Sequence, residues 1–66
     1  MTIQLNGEAF EVSGPVSLRA LLELLDIDPR RVAVEHNLVV VKRDAYGRIT
    51  LNDRDQVEIV NLVGGG

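Results

Sequence analysis

The chain has 66 residues, 7 basic and 10 acidic side chains, a net charge of -3 and no cysteine. At roughly 100 to 200 residues per domain this is one small domain, which excludes most enzymes built around a deep cleft, and the missing cysteines exclude disulfides, thiolate catalysis and zinc-thiolate sites. The charge has the wrong sign for a domain that neutralises nucleic-acid phosphates.

Residues 1 to 12 predict a hairpin. Ile3 and Leu5 alternate with Thr2 and Gln4, Asn6-Gly7 follows, and alternation resumes through Glu8-Ala9-Phe10-Glu11-Val12. Asn-Gly between two period-two runs is the strongest short hairpin signal, because both central residues of a type I′ turn need positive φ. Gly14-Pro15 breaks the strand, and Ser17 is placed to cap a helix whose apolar residues Leu18, Leu21, Leu22 and Leu25 recur at i, i+3, i+4 and i+7. Arg19 and Glu23 fall on its opposite face, so the helix lays one stripe on something apolar, and the hairpin is the nearest partner. Asp26-Ile27-Asp28-Pro29 ends it, since Pro29 has no N–H and pushes Asp28 out of the α region.

Val32-Ala33-Val34-Glu35 and then Leu38 to Val41 predict strands on either side of a bend at His36-Asn37. Lys42 to Gly47 reads as a short polar link with one helical turn stopped at Gly47, and Arg48-Ile49-Thr50-Leu51 as a brief strand or an anchored loop. Asn52-Asp53-Arg54-Asp55 is a turn cluster, and Gln56 to Val63 is the longest strand. The order predicts an α+β fold, a mixed sheet of four to five strands packed on one main helix. With the first and last strands side by side at its centre it is a β-grasp arrangement, spanning residues 1–63 and followed by a glycine tail at 64–66. The other sheet face is left open. Stability must come from packing, for which Leu, Ile and Val supply 23 residues. Apolar runs fall far short of the ~18 residues of a membrane span, and no secretory pattern opens the sequence, so a cytoplasmic protein is expected.

The tail is the feature that folding does not explain. Glycine loses more backbone entropy on ordering than any other residue, and Gly64, Gly65 and Gly66 bury no side chain. One reading is a frayed terminus. The other is that the carboxylate of Gly66 is the reactive group, with Gly64 and Gly65 as a slender approach into a partner's active site. Three extended residues reach at most about 10 Å. A carboxylate accepts a nucleophile only after activation, for which adenylation by ATP suffices. Gly64-Gly65-Gly66 opens no helix and lacks the Lys-Ser/Thr ending of a phosphate-binding loop, so a separate enzyme must activate it.

Asn6-Gly7 in the opening hairpin, the Leu18 to Leu25 helix, Val32-Ala33-Val34-Glu35 and above all Val57-Glu58-Ile59-Val60-Asn61-Leu62-Val63-Gly64-Gly65-Gly66 resemble the thiamin-biosynthesis sulfur carrier family, ThiS, across essentially the whole chain. The resemblance implies a ubiquitin-like fold and a carrier rather than an enzyme. Gly66 would be adenylated by an E1-like enzyme of the ThiF/MoeB type and converted to a thiocarboxylate, and the sulfur would go to the thiazole synthase ThiG. No bound cofactor is implied, ATP being used by the activating enzyme. The chain departs from the family where members often carry Asp-Gly-Asp, here Asp53-Arg54-Asp55, and where they often carry Pro, here Lys42. The alternatives are a carrier for molybdopterin or tRNA thiolation, and a ubiquitin-like modifier or β-grasp interaction domain.

Docking is expected on the open face. Val57 and Ile59 alternate toward the helix, which leaves Val60 and Leu62 on the opposite side as a candidate docking patch; the competing expectation is that residues 42 to 51 fold over them. Asp53 and Asp55 are expected to serve turn chemistry rather than acid-base catalysis or cation binding. His36 is expected to be a bend residue rather than a base, and no metal site is predicted.

Overall fold

Asn6 and Gly7 take φ of +51° and +82°, the left-handed pair that a two-residue hairpin turn needs. The chain therefore doubles back between β1 (Thr2–Leu5) and β2 (Glu8–Glu11), with Ile3 opposite Phe10. The computed structural model describes residues 1–62; residue 63 and the glycines at 64–66 lie outside the described residues. After the hairpin, Ser17 accepts a hydrogen bond from the Ala20 N–H through its hydroxyl at 3.0 Å, capping α1 (Leu18–Leu24) as its position predicts. Leu25 is the C-cap, and Asp26 leaves the helix with φ +59°. Asp28 then caps a single 3₁₀ turn, Pro29–Arg31, by accepting from the Arg30 N–H at 2.9 Å.

β3 (Val32–His36) and β4 (Val39–Val41) form the second hairpin. Its turn is Asn37-Leu38, with φ +51° and +72°, so Leu38 belongs to the turn and not to the strand expected from it. The register explains this: His36 pairs with Val39, which leaves two residues to close the loop, both left-handed. A 3₁₀ turn at Arg43–Ala45 follows. Residues 48 to 51 form an anchored loop whose one sheet-like contact is the bridge between Ser17 and Thr50. The last strand, β5 (Gln56–Asn61), stops short of the expected Val63 because Asn61 already lies opposite Val32, the first residue of β3.

The five strands stand in the order β2-β1-β5-β3-β4, with β1 and β5 parallel at the centre and the other pairs antiparallel. This is the β-grasp arrangement. Alternation sends Ile3, Val34 and Val57 to one face, where they meet Leu18, Leu21 and Leu22 of α1, all essentially inaccessible. The segment from 42 to 51 closes the same side. Arg19 N–H donates to the Tyr46 carbonyl, Leu18 N–H to that of Ile49 and Leu51 N–H to that of Val16. Tyr46 and Leu51 are buried in the core. No helix among the described residues is long and apolar enough to cross a membrane.

The Asp53-Arg54-Asp55 turn places Arg54 at φ +73°, a conformation costing an L-residue roughly 1–2 kcal/mol and glycine almost nothing. The Arg54 side chain repays little of this, since its contact with Asp53 is 3.9 Å and solvent-exposed. Arg54→Gly is therefore expected to raise stability by about 0.5–1 kcal/mol, after subtracting glycine's greater unfolded-state entropy. The midpoint of urea unfolding, compared at constant slope, is the measurement; a lower midpoint would contradict the strain.

Candidate functional site

The open face of the sheet is built by the residues that alternation sends away from α1. On β5 these are Gln56, Glu58 and Val60, with Leu62 next in phase. Val57 on the other side is fully buried and Ile59 half-buried, whereas Val60 is 60% and Leu62 57% exposed. The segment from 42 to 51 does not fold over them, because its backbone is tied to the start of α1 on the far side of the sheet. Neighbouring strands extend this surface. Ala33 pairs with Val60, Glu35 with Glu58, and Val40 of β4, 69% exposed, with Glu35. The face thus combines exposed apolar side chains with two carboxylates set directly opposite each other. Like charges in that relation destabilise a sheet.

The described end of β5 is held from both sides. The Leu62 N–H donates to the Arg31 carbonyl at 2.9 Å, continuing the antiparallel ladder with β3 one step past its last residue pair. On the β1 side the pairing of Gln4 with Gln56 and Leu5 with Val57 ends where the first hairpin turns, and the Asn6 side chain reaches Ile59. Val60 and Leu62 stand where this strand meets the chain's last four residues. Gly64, Gly65 and Gly66, the residues on which the acyl chemistry was expected, lie outside the described residues.

At the other end of β5 the structure brings together a cluster that sequence reasoning missed. His36 Nε2 lies 2.7 Å from Asp55 Oδ2, and the Asn52 N–H donates to the same oxygen at 2.9 Å. The Asn37 amide donates to Asp55 Oδ1 at 3.3 Å, while its own oxygen accepts from the Gln56 N–H at 2.8 Å. Burial alone would raise the pKa of Asp55, but the hydrogen bonds from His36, the Asn52 backbone and Asn37 outweigh it and hold the carboxyl below its ordinary value. Spacing gives no hint of the pair, since His36 and Asp55 are 19 residues apart and meet only because β3 runs antiparallel to β5. Asp55 does serve its turn, and His36 sits at the end of a strand beside the bend. The pair joins the second hairpin to the entry of β5 and has no hydroxyl or thiol nucleophile among its hydrogen-bond partners. Among the described residues no group of three or more His, Cys, Asp or Glu side chains is placed to hold a metal ion. A groove of about 370 Å³ on the open face, lined by Gln4, Gly7, Glu35, Leu38, Gln56 and Glu58, is wide and shallow and encloses nothing.

The lowered pKa of Asp55 gives its contribution a definite sign. Its contribution to stability is complete above the unfolded value and is lost as pH falls through the lower folded value. Asp55→Ala is expected to cost about 1–2 kcal/mol at neutral pH, from the loss of a hydrogen-bonded, largely buried carboxylate. It should also flatten the acid limb of the stability profile. Urea titrations from neutral pH down to pH 3 on both proteins test this, and parallel acid limbs would count against it.

Comparison with known proteins places this architecture. The ThiS family model matches residues 3–66. The sulfur carrier protein ThiS of Bacillus subtilis is 34% identical over 97% of this chain and 98% of its own length. A crystal structure of the thiamine biosynthesis protein ThiS from Geobacter metallireducens covers all of both chains at 33% identity, with a TM-score of 0.88. The thiazole synthase of Paramagnetospirillum magneticum is 42% identical over the whole of this chain, which spans only 20% of that protein. With a central parallel β1–β5 pair, one helix and the match running through Gly66, the chain belongs to the ThiS family of ubiquitin-like proteins.

Proposed function

We propose that this ThiS-family sulfur carrier of thiamin biosynthesis holds its sulfur as a thiocarboxylate on Gly66, in the cytoplasm, and delivers it to a thiazole synthase. The observation that carries the reading is the full-length match to a sulfur carrier protein in a chain without cysteine. A carrier with no thiol cannot store sulfur as a side-chain persulfide, which leaves acyl sulfur on a carboxylate, and in this reading the Gly66 carboxylate takes that role because the glycines before it carry no side chain to obstruct a partner's active site. The carrier itself binds no cofactor in this reading. An E1-like enzyme of the ThiF/MoeB type joins the Gly66 carboxylate to the α-phosphate of ATP, releasing pyrophosphate. A sulfide-level nucleophile then attacks the acyl carbon, AMP leaves, and the terminal oxygen has been exchanged for sulfur. Adenylation is needed because a carboxylate oxygen is a poor leaving group and AMP a good one.

Docking in this proposal uses Val60 and Leu62, the exposed apolar residues nearest the tail, with Gly64 and Gly65 as the approach to the partner's active site. Exposed apolar side chains rimmed by charge, as here by Glu35 and Glu58, suit a protein surface that is covered only part of the time. The thiazole synthase as recipient is supported by the match of the whole chain to a segment of such an enzyme, which puts a carrier-like unit and the synthase on one polypeptide there.

Two measurements test the proposal. Incubated with the activating enzyme, ATP and sulfide, the intact protein is expected to gain the mass difference between sulfur and oxygen, localised to Gly66; an unchanged mass, with the enzyme shown active on another carrier, would sink it. Removing Gly65 and Gly66 is expected to leave thermal unfolding nearly unaltered while abolishing adenylation. Separately, Val60→Asp with Leu62→Asp should raise the carrier's KM for adenylation by about tenfold or more through loss of apolar contact, with little effect on folding, because neither side chain belongs to the core.

A further inference from the structure

β1 ends before β5 does, and one side chain makes up the difference. Gln4 N–H donates to the Asp55 carbonyl and Asn6 N–H to that of Val57, both at 2.9 Å; the chain then turns away into β2. The next outward-facing peptide groups of β5 on that side belong to Ile59. They are met by the Asn6 side chain, whose Oδ1 accepts from the Ile59 N–H at 2.7 Å and whose Nδ2 donates to the Ile59 carbonyl at 3.1 Å. A single primary amide thus stands in for one more peptide unit of β1. Beyond Val57, no other hydrogen bond holds β5 from this side among the described residues.

From these contacts we infer that Asn6 is a positioning residue for acyl transfer. By clamping Ile59 it fixes the segment from Glu58 to Leu62, and with it the docking side chains and the residue to which the last four are joined. The inference rests on the proposed carrier role of Gly66. The residue type follows from two separate demands. The turn needs positive φ, which Asn, Asp and Gly all tolerate. The clamp needs a donor and an acceptor on one short side chain, which among these three only Asn provides. Aspartate keeps the bond from the Ile59 N–H but sets a carboxylate oxygen against the Ile59 carbonyl, and glycine keeps neither. Without the clamp, residues 58 to 62 are held along one edge only, and a partner must order them as it binds. Pre-organisation of this kind appears in affinity rather than in the chemical step.

The protein contains its own control. Asn37 opens the other two-residue turn with the same φ of +51°, and its side chain also bonds to β5, accepting from the Gln56 N–H at 2.8 Å, at the end remote from the tail. Asn6→Gly, Asn6→Asp and Asn37→Gly in the full chain, assayed by pyrophosphate release with the E1-like enzyme and ATP well below their unfolding temperatures, separate position from stability. Asn6→Gly is expected to raise the carrier's KM on the order of tenfold with kcat within about twofold. Asn6→Asp should fall between it and the wild type, and Asn37→Gly should keep wild-type KM. Amide hydrogen exchange should quicken at Ile59 to Asn61 in Asn6→Gly and not in Asn37→Gly. Equal KM changes in the two glycine variants, or an unchanged KM in Asn6→Gly, would overturn the positioning role. A wild-type protein that releases no pyrophosphate would refute the carrier reading itself, and the role of Asn6 with it.

Discussion

The fold turns on the short parallel junction between β1 and β5. Only Gln4 with Gln56 and Leu5 with Val57 pair there, yet this contact joins segments more than 50 residues apart and puts both at the centre of the sheet. Two pairs cannot supply the loop-closure entropy of such a separation from hydrogen bonds alone. What holds the junction is the layer beneath it. Ile3 on one strand and Val57 on the other are fully buried against Leu18, Leu21 and Leu22. The helix rests across the seam, and the seam exists because the helix covers it. Once β5 is central, the second hairpin has one edge left to occupy, and β3 takes it through five residue pairs.

That arrangement spends the apolar residues on a single face. A chain this short cannot cover a five-stranded sheet on both sides, and its one helix and the segment from 42 to 51 lie on the same side. The open face is nevertheless not the uniformly polar surface that solubility alone would select. It carries Val40, Val60 and, just past the last strand, Leu62, all more than half exposed, next to the opposed pair Glu35 and Glu58. Each feature works slightly against the isolated fold. Both fit the docking of another protein on this face that the proposed function requires.

What could be read from the sequence was what local rules determine. Asn6-Gly7, the Ser17 cap and the leucine spacing of α1 are decided within a few residues, and each stands where its chemistry puts it; the helix, however, stops at Leu25 and the left-handed Asp26, ahead of Asp28-Pro29, which instead opens the 3₁₀ turn. The exposure of Val60 and Leu62 followed from period-two alternation once Val57 was assigned to the core. Leu38 was misplaced because left-handed turn positions are recognised by glycine, and this turn has none; the His36–Val39 register forces Leu38 to φ +72° regardless. The end of β5 differs because the apolar run continues to Val63 whereas the last strand residue pair is Val32 with Asn61, and past it only the Leu62 N–H still bonds, to the Arg31 carbonyl. His36 with Asp55, and Asn6 with Ile59, were invisible for a common reason: each joins residues brought together only by the completed strand order. Such polar contacts between elements leave no periodic trace.

The same strand order divides β5 into a firmly anchored half and an exposed half. Its first half is where the strand is anchored: Val57 in the core, Gln56 held by Asn37, and Asp55 held by His36 and Asn52. From Glu58 onward packing thins out, until Val60 and Leu62 have mostly solvent around them and backbone hydrogen bonds replace burial as the means of holding the chain. A substitution early in the strand therefore acts through the folded population, whereas one late in it acts on what the strand presents. For a carrier this division is useful. In the proposed function two different enzymes accept the same carboxyl group, first as an acid to be activated and then as a source of sulfur. In that proposal the carboxyl group changes from carboxylate to acyl adenylate to thiocarboxylate while the exposed surface at Val60 and Leu62, by which each enzyme would recognise the carrier, stays the same.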